Sequence, residues 1–267
     1  MSRLTADQYL QCIRRESQRF REVLTDADPT ATVPSCPEWT ADDLLAHLGG
    51  VQRWWTHVIT HRPASPDGYV AAERPATHEG LIAFFDEWSA KLDKALTEAD
   101  PDDAAWTWSS DPAHHNVAFT LRRQAHEALI HRLDAELAVG TPTALDPELA
   151  ADGVEEVLDV MFGGLPPWGS WEPLPHYVRV DVADTGEQVW SQLGLFSGTT
   201  PQGTELNGED DQHVVADPGV EPDAVVTGPA GVLDAWLWRR GDDDGIRVAG
   251  NREIYSRWRS CVNHSVE

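Results

Sequence analysis

Four apolar stripes at helical spacing, all within the first 139 residues, constrain this chain more than any other feature. Thr5 followed by Gln8 forms a capping-box pattern, and Tyr9, Ile13, Phe20 and Leu24 then give one apolar face up to the turn at Asp28-Pro29. The segment VPSCPEWT, residues 33–40, is broken by proline until Thr40. Thr40 caps a second stripe, Leu44, Leu48, Val51, Trp55 and Val58, which ends near His61-Arg62-Pro63. Leu81, Phe84, Phe85, Trp88, Leu92 and Leu96 mark a third helix that stops before Asp100-Pro101. A fourth is predicted from about Val117 to Val139, closed by Gly140. Each stripe must bury itself against the others, so residues 1–145 are expected to form a four-helix bundle.

The pattern changes after GTPTALDPE, residues 140–148, where Asp146 can cap a helix with Pro147 in its first turn, reaching about Phe162. From His176 to Ala183 the period is two: Val178, Val180 and Val182 alternate with Arg179 and Asp181. Val189 to Leu193, His213 to Ala216, Ala224 to Thr227 and Ile246 to Ala249 are further strand candidates. Pro229 to Arg240 and Asn251 to Ser260 read as helices. Residues 146–267 are therefore expected to form a small α+β domain, and the chain as a whole is α+β. The glycine- and acid-rich stretch GTTPQGTELNGEDD, residues 198–211, reads as an exposed loop.

Charge narrows the function classes. Against 45 Asp and Glu stand 20 Lys and Arg, a formal charge of -25, which repels a phosphate backbone and an anionic bilayer. Neither nucleic acid nor membrane is expected as a partner. Three cysteines, Cys12, Cys36 and Cys261, contain no close pair, and the start MSRLTADQYL carries no apolar signal region, so a cytoplasmic address is expected. Cys36, between prolines with no evident base beside it, reads as a structural thiol rather than a nucleophile. Twelve tryptophans point to thick aromatic cores or a substrate cleft.

Chemistry concentrates on the fourth helix, in FTLRRQAHEALIHRLDAELAVG. Glu127 and His131 stand four apart and project from one face, which also holds Arg123, Gln124 and Asp134 between apolar borders. A buried carboxylate needs a partner or a cation. A Glu127 pair with Arg123 or His131 on a solvated face is the alternative. On the second helix His47 falls within the apolar stripe, where it is either a core histidine or the third member of a set. Two neighbouring bundle helices can bring His47 to Glu127 and His131, two imidazoles and one carboxylate with a fourth position open, the ligand count of catalytic zinc. Asp134, one turn beyond His131, is placed to accept from the other imidazole nitrogen.

These residues resemble the mycothiol-dependent maleylpyruvate isomerase family, whose N-terminal domain is a DinB-like metal-binding four-helix bundle. The resemblance lies in VPSCPEWTADDLLAHLGGVQRW, LRRQAHEALIHRLDAELA and TGPAGVLDAWLWRRGDDDGIRVAGNREIYSRW, residues 33–54, 121–138 and 227–258. The third looks like the family's sterol-carrier-like C-terminal domain. The resemblance implies that His47, Glu127 and His131 hold a divalent metal, usually zinc, and that the metal receives the sulfur of mycothiol or a similar thiol. It further implies either cis–trans isomerisation of a maleyl group, by thiolate addition, bond rotation and expulsion, or transfer of the thiol to an electrophile. Two imidazoles and a carboxylate also suit nickel and iron.

An anionic substrate of so acidic a protein must find positive charge locally. Arg123 can bind a carboxylate or pair with Glu127. Arg240, in Trp238-Arg239-Arg240-Gly241, matches the family's arginine at the end of the second-domain helix, and reads either as the substrate-carboxylate contact or as a structural ion pair. Gly49-Gly50 within a helix implies close packing or ligand access, and His114 and His115 either line a pocket mouth or face solvent. Two other readings stay open: a non-catalytic metal- or ligand-binding protein, and metal-assisted hydrolysis, for which Asp134 is the one candidate base.

Overall fold

A computed structural model describes residues 4–264, which divide into two compact units, one of Leu4–Ala144 and one from Leu145 on. The first unit is built on α1 (Ala6–Thr25), α2 (Ala41–Thr60), α3 (His78–Thr97) and α4 (Val117–Ala138). Each starts where a side chain satisfies free N–H groups of its first turn. Thr5 and Gln8, and likewise Thr40 and Asp43, exchange reciprocal capping bonds, while Thr77 accepts from the Gly80 amide and Asn116 from that of Phe119. α1 packs chiefly on α4 and α2 on α3, and the two pairs close over Phe20, Leu24, Leu44, Leu45, Leu48, Leu81, Phe85 and Ala135, all essentially inaccessible. A Cβ on Gly49 would stand 2.8 Å from the Phe84 ring, so this glycine serves close packing of α2 on α3, while Gly50 faces open space.

The proline-broken segment before α2 is more ordered than its composition suggests. β1 (Thr32–Val33) and β2 (Cys36–Thr40) form a small antiparallel hairpin against α2 and α4. α4 is not amphipathic in the ordinary sense, because it is buried nearly all round. Arg122, Arg123, Arg132, Asp134 and Glu136 are all 5% exposed or less. Charge at such positions persists only when paired. Arg132 donates to Glu16 and Glu136, each at 2.9 Å, and Glu136 also accepts from Arg19 and from the backbone and hydroxyl of Thr143.

In the second unit Asp146 caps α5 (Pro147–Glu156), and the helix ends in a π-helical turn over Val157–Met161. A five-stranded mixed sheet follows, in the order β5-β4-β3-β6-β7, comprising β3 (Gly169–Val182), β4 (Gln188–Thr199), β5 (Glu205–Val215), β6 (Ala224–Gly228) and β7 (Arg247–Gly250). Only β3 and β6 run parallel. α6 (Ala230–Leu237) lies between β6 and β7 in sequence, and α7 (Arg252–Cys261) ends the described order. Val178, Val180 and Val182 of β3 are buried as their period of two requires. Trp236 and Trp258 fill the core beneath them. The Trp258 indole donates to Ser191, Ser191 to Gln212, and Gln212 to the Leu158 carbonyl.

Residues 198–211 are not a loop. β4 continues to Thr199, β5 resumes at Glu205, and only a tight turn separates them, with Gly203 at φ +87°. An edge strand with one face in water tolerates the carboxylates that argue against strand by propensity, and Arg257 of α7 pairs with Asp210 at 2.6 Å. β3 likewise begins at Gly169 rather than His176, and its prolines fall where the register with β4 shifts, between Pro173 and Tyr177. Among the described residues no helix is long and apolar enough to cross a membrane.

Candidate metal centre

α2 and α4 bring His47, Glu127 and His131 together, with one donor atom from each lying within 4.8 Å of the others. His47 Nε2 is 3.4 Å and His131 Nε2 is 3.2 Å from the same oxygen, Oε1 of Glu127. Tetrahedral ligands at 2.0–2.2 Å from an ion stand about 3.4 Å from one another, so both distances match edges of such a polyhedron. The two imidazole rings meet edge to face, centroids 4.7 Å apart. The donor types and the two separations from Glu127 Oε1 fit a divalent cation.

The surroundings fix which atoms face the centre. Nδ1 of His131 lies 2.9 Å from Oδ2 of the fully buried Asp134, so Nδ1 carries the proton and Nε2 faces Glu127. Arg123 donates through Nη2 to Oε2 of Glu127 at 3.2 Å, leaving Oε1 for the histidines. Burial alone pushes the Glu127 carboxyl up, yet hydrogen bonds from His131 and His47 and the charges of His131 and Arg123 outweigh it and hold the group well below its ordinary value. For His131 burial again opposes the charge. The bonds to Asp134 and Glu127 win, and its pKa is raised to about 9. Without a cation the site is thus an imidazolium beside a carboxylate, a pocket already tuned to hold positive charge next to Glu127.

Comparison with known proteins shows the family. The description "Mycothiol maleylpyruvate isomerase N-terminal domain" matches residues 10–136, and the corresponding C-terminal domain matches residues 148–257. The chain belongs to this family. Two uncharacterized proteins of Mycobacterium tuberculosis, from strains CDC 1551 / Oshkosh and ATCC 25618 / H37Rv, are each 33% identical over 148 residues, covering 52% of this chain and 71% of theirs. The crystal structure of a mycothiol-dependent maleylpyruvate isomerase and that of its histidine-to-alanine mutant share the fold. They superpose with TM-scores of 0.57 and 0.59 at 15% identity, over 92% of this chain and 93% of theirs.

All three donors, with Arg123 and Asp134, fall within the family's N-terminal domain. Arg240 belongs to the C-terminal one. It follows Arg239, which sits at φ +62° just beyond α6, and its Nη1 donates to the Trp238 carbonyl at 2.7 Å. Of the remaining expectations, Cys36 lies part-buried in β2, and the two loop histidines have local tasks. His114 Nδ1 is 2.9 Å from the Ser109 hydroxyl, and His115 Nε2 is 2.8 Å from the Ser109 carbonyl.

Sequence reasoning missed two neighbours of the centre. Ser35, at the tip of the β1–β2 hairpin, donates its hydroxyl to Oδ1 of Asp134. Trp39 of β2 lies against the His47 ring, centroids 4.7 Å apart. Both sit in the proline-broken segment VPSCPEWT, where no periodicity advertises an inward side chain. The signal was a short conformationally restricted stretch immediately before a helix that carries a ligand candidate.

Proposed function

We propose that this protein is an enzyme of thiol chemistry, requiring a divalent metal, with zinc foremost, and a mycothiol-type thiol. It isomerises a small maleyl-type anion from cis to trans or transfers the thiol to a small electrophile. The observation that carries the reading is the convergence of two imidazole nitrogens and one carboxylate oxygen at coordination spacing, behind a buried carboxylate that sets the tautomer. Family membership and the mycothiol-dependent maleylpyruvate isomerase that shares the fold support this reaction class. A divalent ion with three protein ligands keeps a position for an outside donor and draws a bound thiol into its nucleophilic thiolate form.

The chain's own residues prepare that event. Asp134 keeps the proton of His131 on Nδ1, and Ser35 holds Asp134 in turn. Arg123 is proposed as the countercharge of Glu127, which keeps that carboxylate ionised and oriented. The His47 side chain, one third exposed, marks the side on which small molecules reach the site. Arg240 is proposed as the contact for the substrate's carboxylate, on the strength of its match to the family's arginine and of the protein's charge of -25.

The test has two parts. Exhaustive dialysis followed by metal analysis is expected to leave about one equivalent of divalent metal in the wild type, and none in a His131→Ala variant that keeps its helical circular dichroism. Metal retained by His131→Ala sinks the ligand assignment. Loaded protein is then incubated with thiol and maleylpyruvate, or with a thiol-reactive electrophile. Full metal occupancy without thiol-dependent turnover on either would leave a non-catalytic binding protein in place of the enzyme.

A further inference from the structure

The far end of α2 carries a second concavity, made within the first unit alone. It has a volume of about 380 Å³, within the range of small-molecule sites, and its walls include Arg53, His57, His61, Tyr69, Val70 and Trp88. His57 stands ten residues, nearly three turns, beyond His47, so this is a different place on the helix from the metal donors.

Its chemistry is cationic and aromatic in a protein of the opposite charge. The Arg53 guanidinium lies between two rings, 4.8 Å from the centroid of Tyr69 and 5.2 Å from that of Trp88. Its Nη1 donates to the Tyr69 hydroxyl and, at 2.9 Å, to the Val70 carbonyl. Gly68, at φ +85°, makes the turn that delivers Tyr69 and Val70 to it. These contacts hold the guanidinium plane still, and they use only one nitrogen. The Nε–Nη2 edge, the fork that takes a carboxylate with two parallel bonds, makes no bond to any described residue. Most arginines of the first unit carry an acidic partner, as Arg14, Arg19, Arg21, Arg62 and Arg74 do. Arg53 pairs with no carboxylate among the described residues.

The rest of the wall extends the pattern. His57 and His61 lie ring against ring, centroids 4.1 Å apart, and Tyr69 lies 5.1 Å from His57. Burial, and then the neighbouring His61 and Arg53, push the His57 pKa down, the direction expected of a base in a positive field. The negative end of the α2 dipole opposes an anion here, but its last carbonyls are already engaged. His57 O accepts from the His61 amide, and Ile59 O from Arg62 Nη1 at 2.7 Å.

We propose that this pocket is a binding site for a small organic monocarboxylate with a flat, unsaturated body. The carboxylate sits on the Nε–Nη2 edge of Arg53, and the planar part lies among the rings of His57, Tyr69 and Trp88. A single guanidinium edge matches one negative charge. Phosphate esters, with more charge to place, meet the repulsion of the surrounding acidic protein. The site is independent of the thiol reading, since no residue lining it is a metal donor.

Benzoate and its neutral isostere benzamide are the probes, titrated into the full-length ¹⁵N-labelled protein and into Arg53→Gln, with amide shifts mapped and affinities taken by calorimetry. Benzoate is expected to shift the amides of residues 53–61, 68–70 and 88, saturably in the millimolar range or tighter. Benzamide is expected to bind about tenfold to a hundredfold more weakly, and the variant to lose affinity for benzoate by the same factor. Equal binding of the two probes, or benzoate shifts confined to residues 47, 127 and 131, overturns the proposal. No saturable shift at about 10 mM does so as well, because that lies above the weakest affinity a built site would give. The benzamide comparison uses the wild-type protein, so it decides the matter whatever the variant does to stability.

Discussion

Replacing Asp134 by Asn tests the metal centre at the point where its logic is least obvious. The substitution keeps shape and an accepting oxygen, so His131 Nδ1 still has a partner and the Ser35 hydroxyl can turn to accept from the new amide. What disappears is the negative charge behind the imidazole. Carboxylates placed in this way raise ligand basicity, and losing one weakens metal binding about tenfold to a hundredfold. The same carboxylate also raises the proton affinity of His131, whose pKa of about 9 in the metal-free protein means that only about one site in a hundred is deprotonated at pH 7. Proton and metal compete for one nitrogen. In the wild type, apparent metal affinity is therefore expected to climb about tenfold per pH unit throughout the range below pH 9 and to level off above it. In Asp134→Asn the levelling point moves to lower pH while the plateau falls, so the two curves approach each other at pH 7 and separate above it. Titration against a competing chelating dye from pH 6 to 9.5 measures both features. Two curves with the same plateau and the same bend would refute the claim that Asp134 acts through His131.

The metal-free protein carries a related signature in its stability. A His131 pKa raised from 6.5 to about 9 contributes stability that is complete below pH 6.5 and lost as pH rises through 9, up to about 3 kcal/mol, whereas the depressed Glu127 protects only above its lowered folded value. Denaturant melts of metal-free protein should thus weaken between pH 6.5 and 9, and metal should abolish the decline. Arg132→Met removes the buried cation that joins Glu16 to Glu136 while Arg15 and Arg19 still reach those carboxylates, and should cost about 1.5–3 kcal/mol by urea unfolding, with a loss below about 0.5 kcal/mol counting against the buried network. Gly49→Ala drives a methyl to 2.8 Å from the Phe84 ring and should destabilise by about 1–3 kcal/mol, and a stabilised variant would mean that the α2–α3 contact yields freely. Arg240→Met should keep its metal and lose about tenfold to a hundredfold in kcat/KM. A lowered Tm with unchanged kinetics would make Arg240 structural.

The helices were legible because local chemistry and burial agree in them. Thr5 with Gln8, and Thr40 and Asp146, are caps that can be read from residue type, and the structure uses all of them. The sheet was legible only where one face is buried. Val178 to Val182 alternate because the core demands it. Residues 205–211 alternate with nothing, because an edge strand with solvent on one side draws its order from the ladder to β4, a non-local cause invisible in composition. The π turn at Val157–Met161 has the same character: its apolar residues fit a helix, and no local residue announces the extra one in the turn.

At the metal centre the difficulty lay elsewhere. On α4 the pair Glu127 and His131 is surrounded by other buried ionic residues, and the helix has no polar face against which an inward carboxylate would stand out. Spacing alone could not separate a ligand pair from an ion pair, and in the metal-free site the same atoms do make an ion pair, Glu127 to His131 at 3.2 Å. The distinction comes from sharing. One oxygen of Glu127 is approached by two imidazoles, from two helices, while Arg123 occupies the other oxygen. Arg123 alone could neutralise a structural carboxylate, so the two further imidazole nitrogens gathered at its other oxygen are what a simple ion pair does not call for. That sharing supports the proposed metal site, and His47, the one candidate ligand on the other helix, therefore carries more of the inference than the Glu-x-x-x-His spacing on α4.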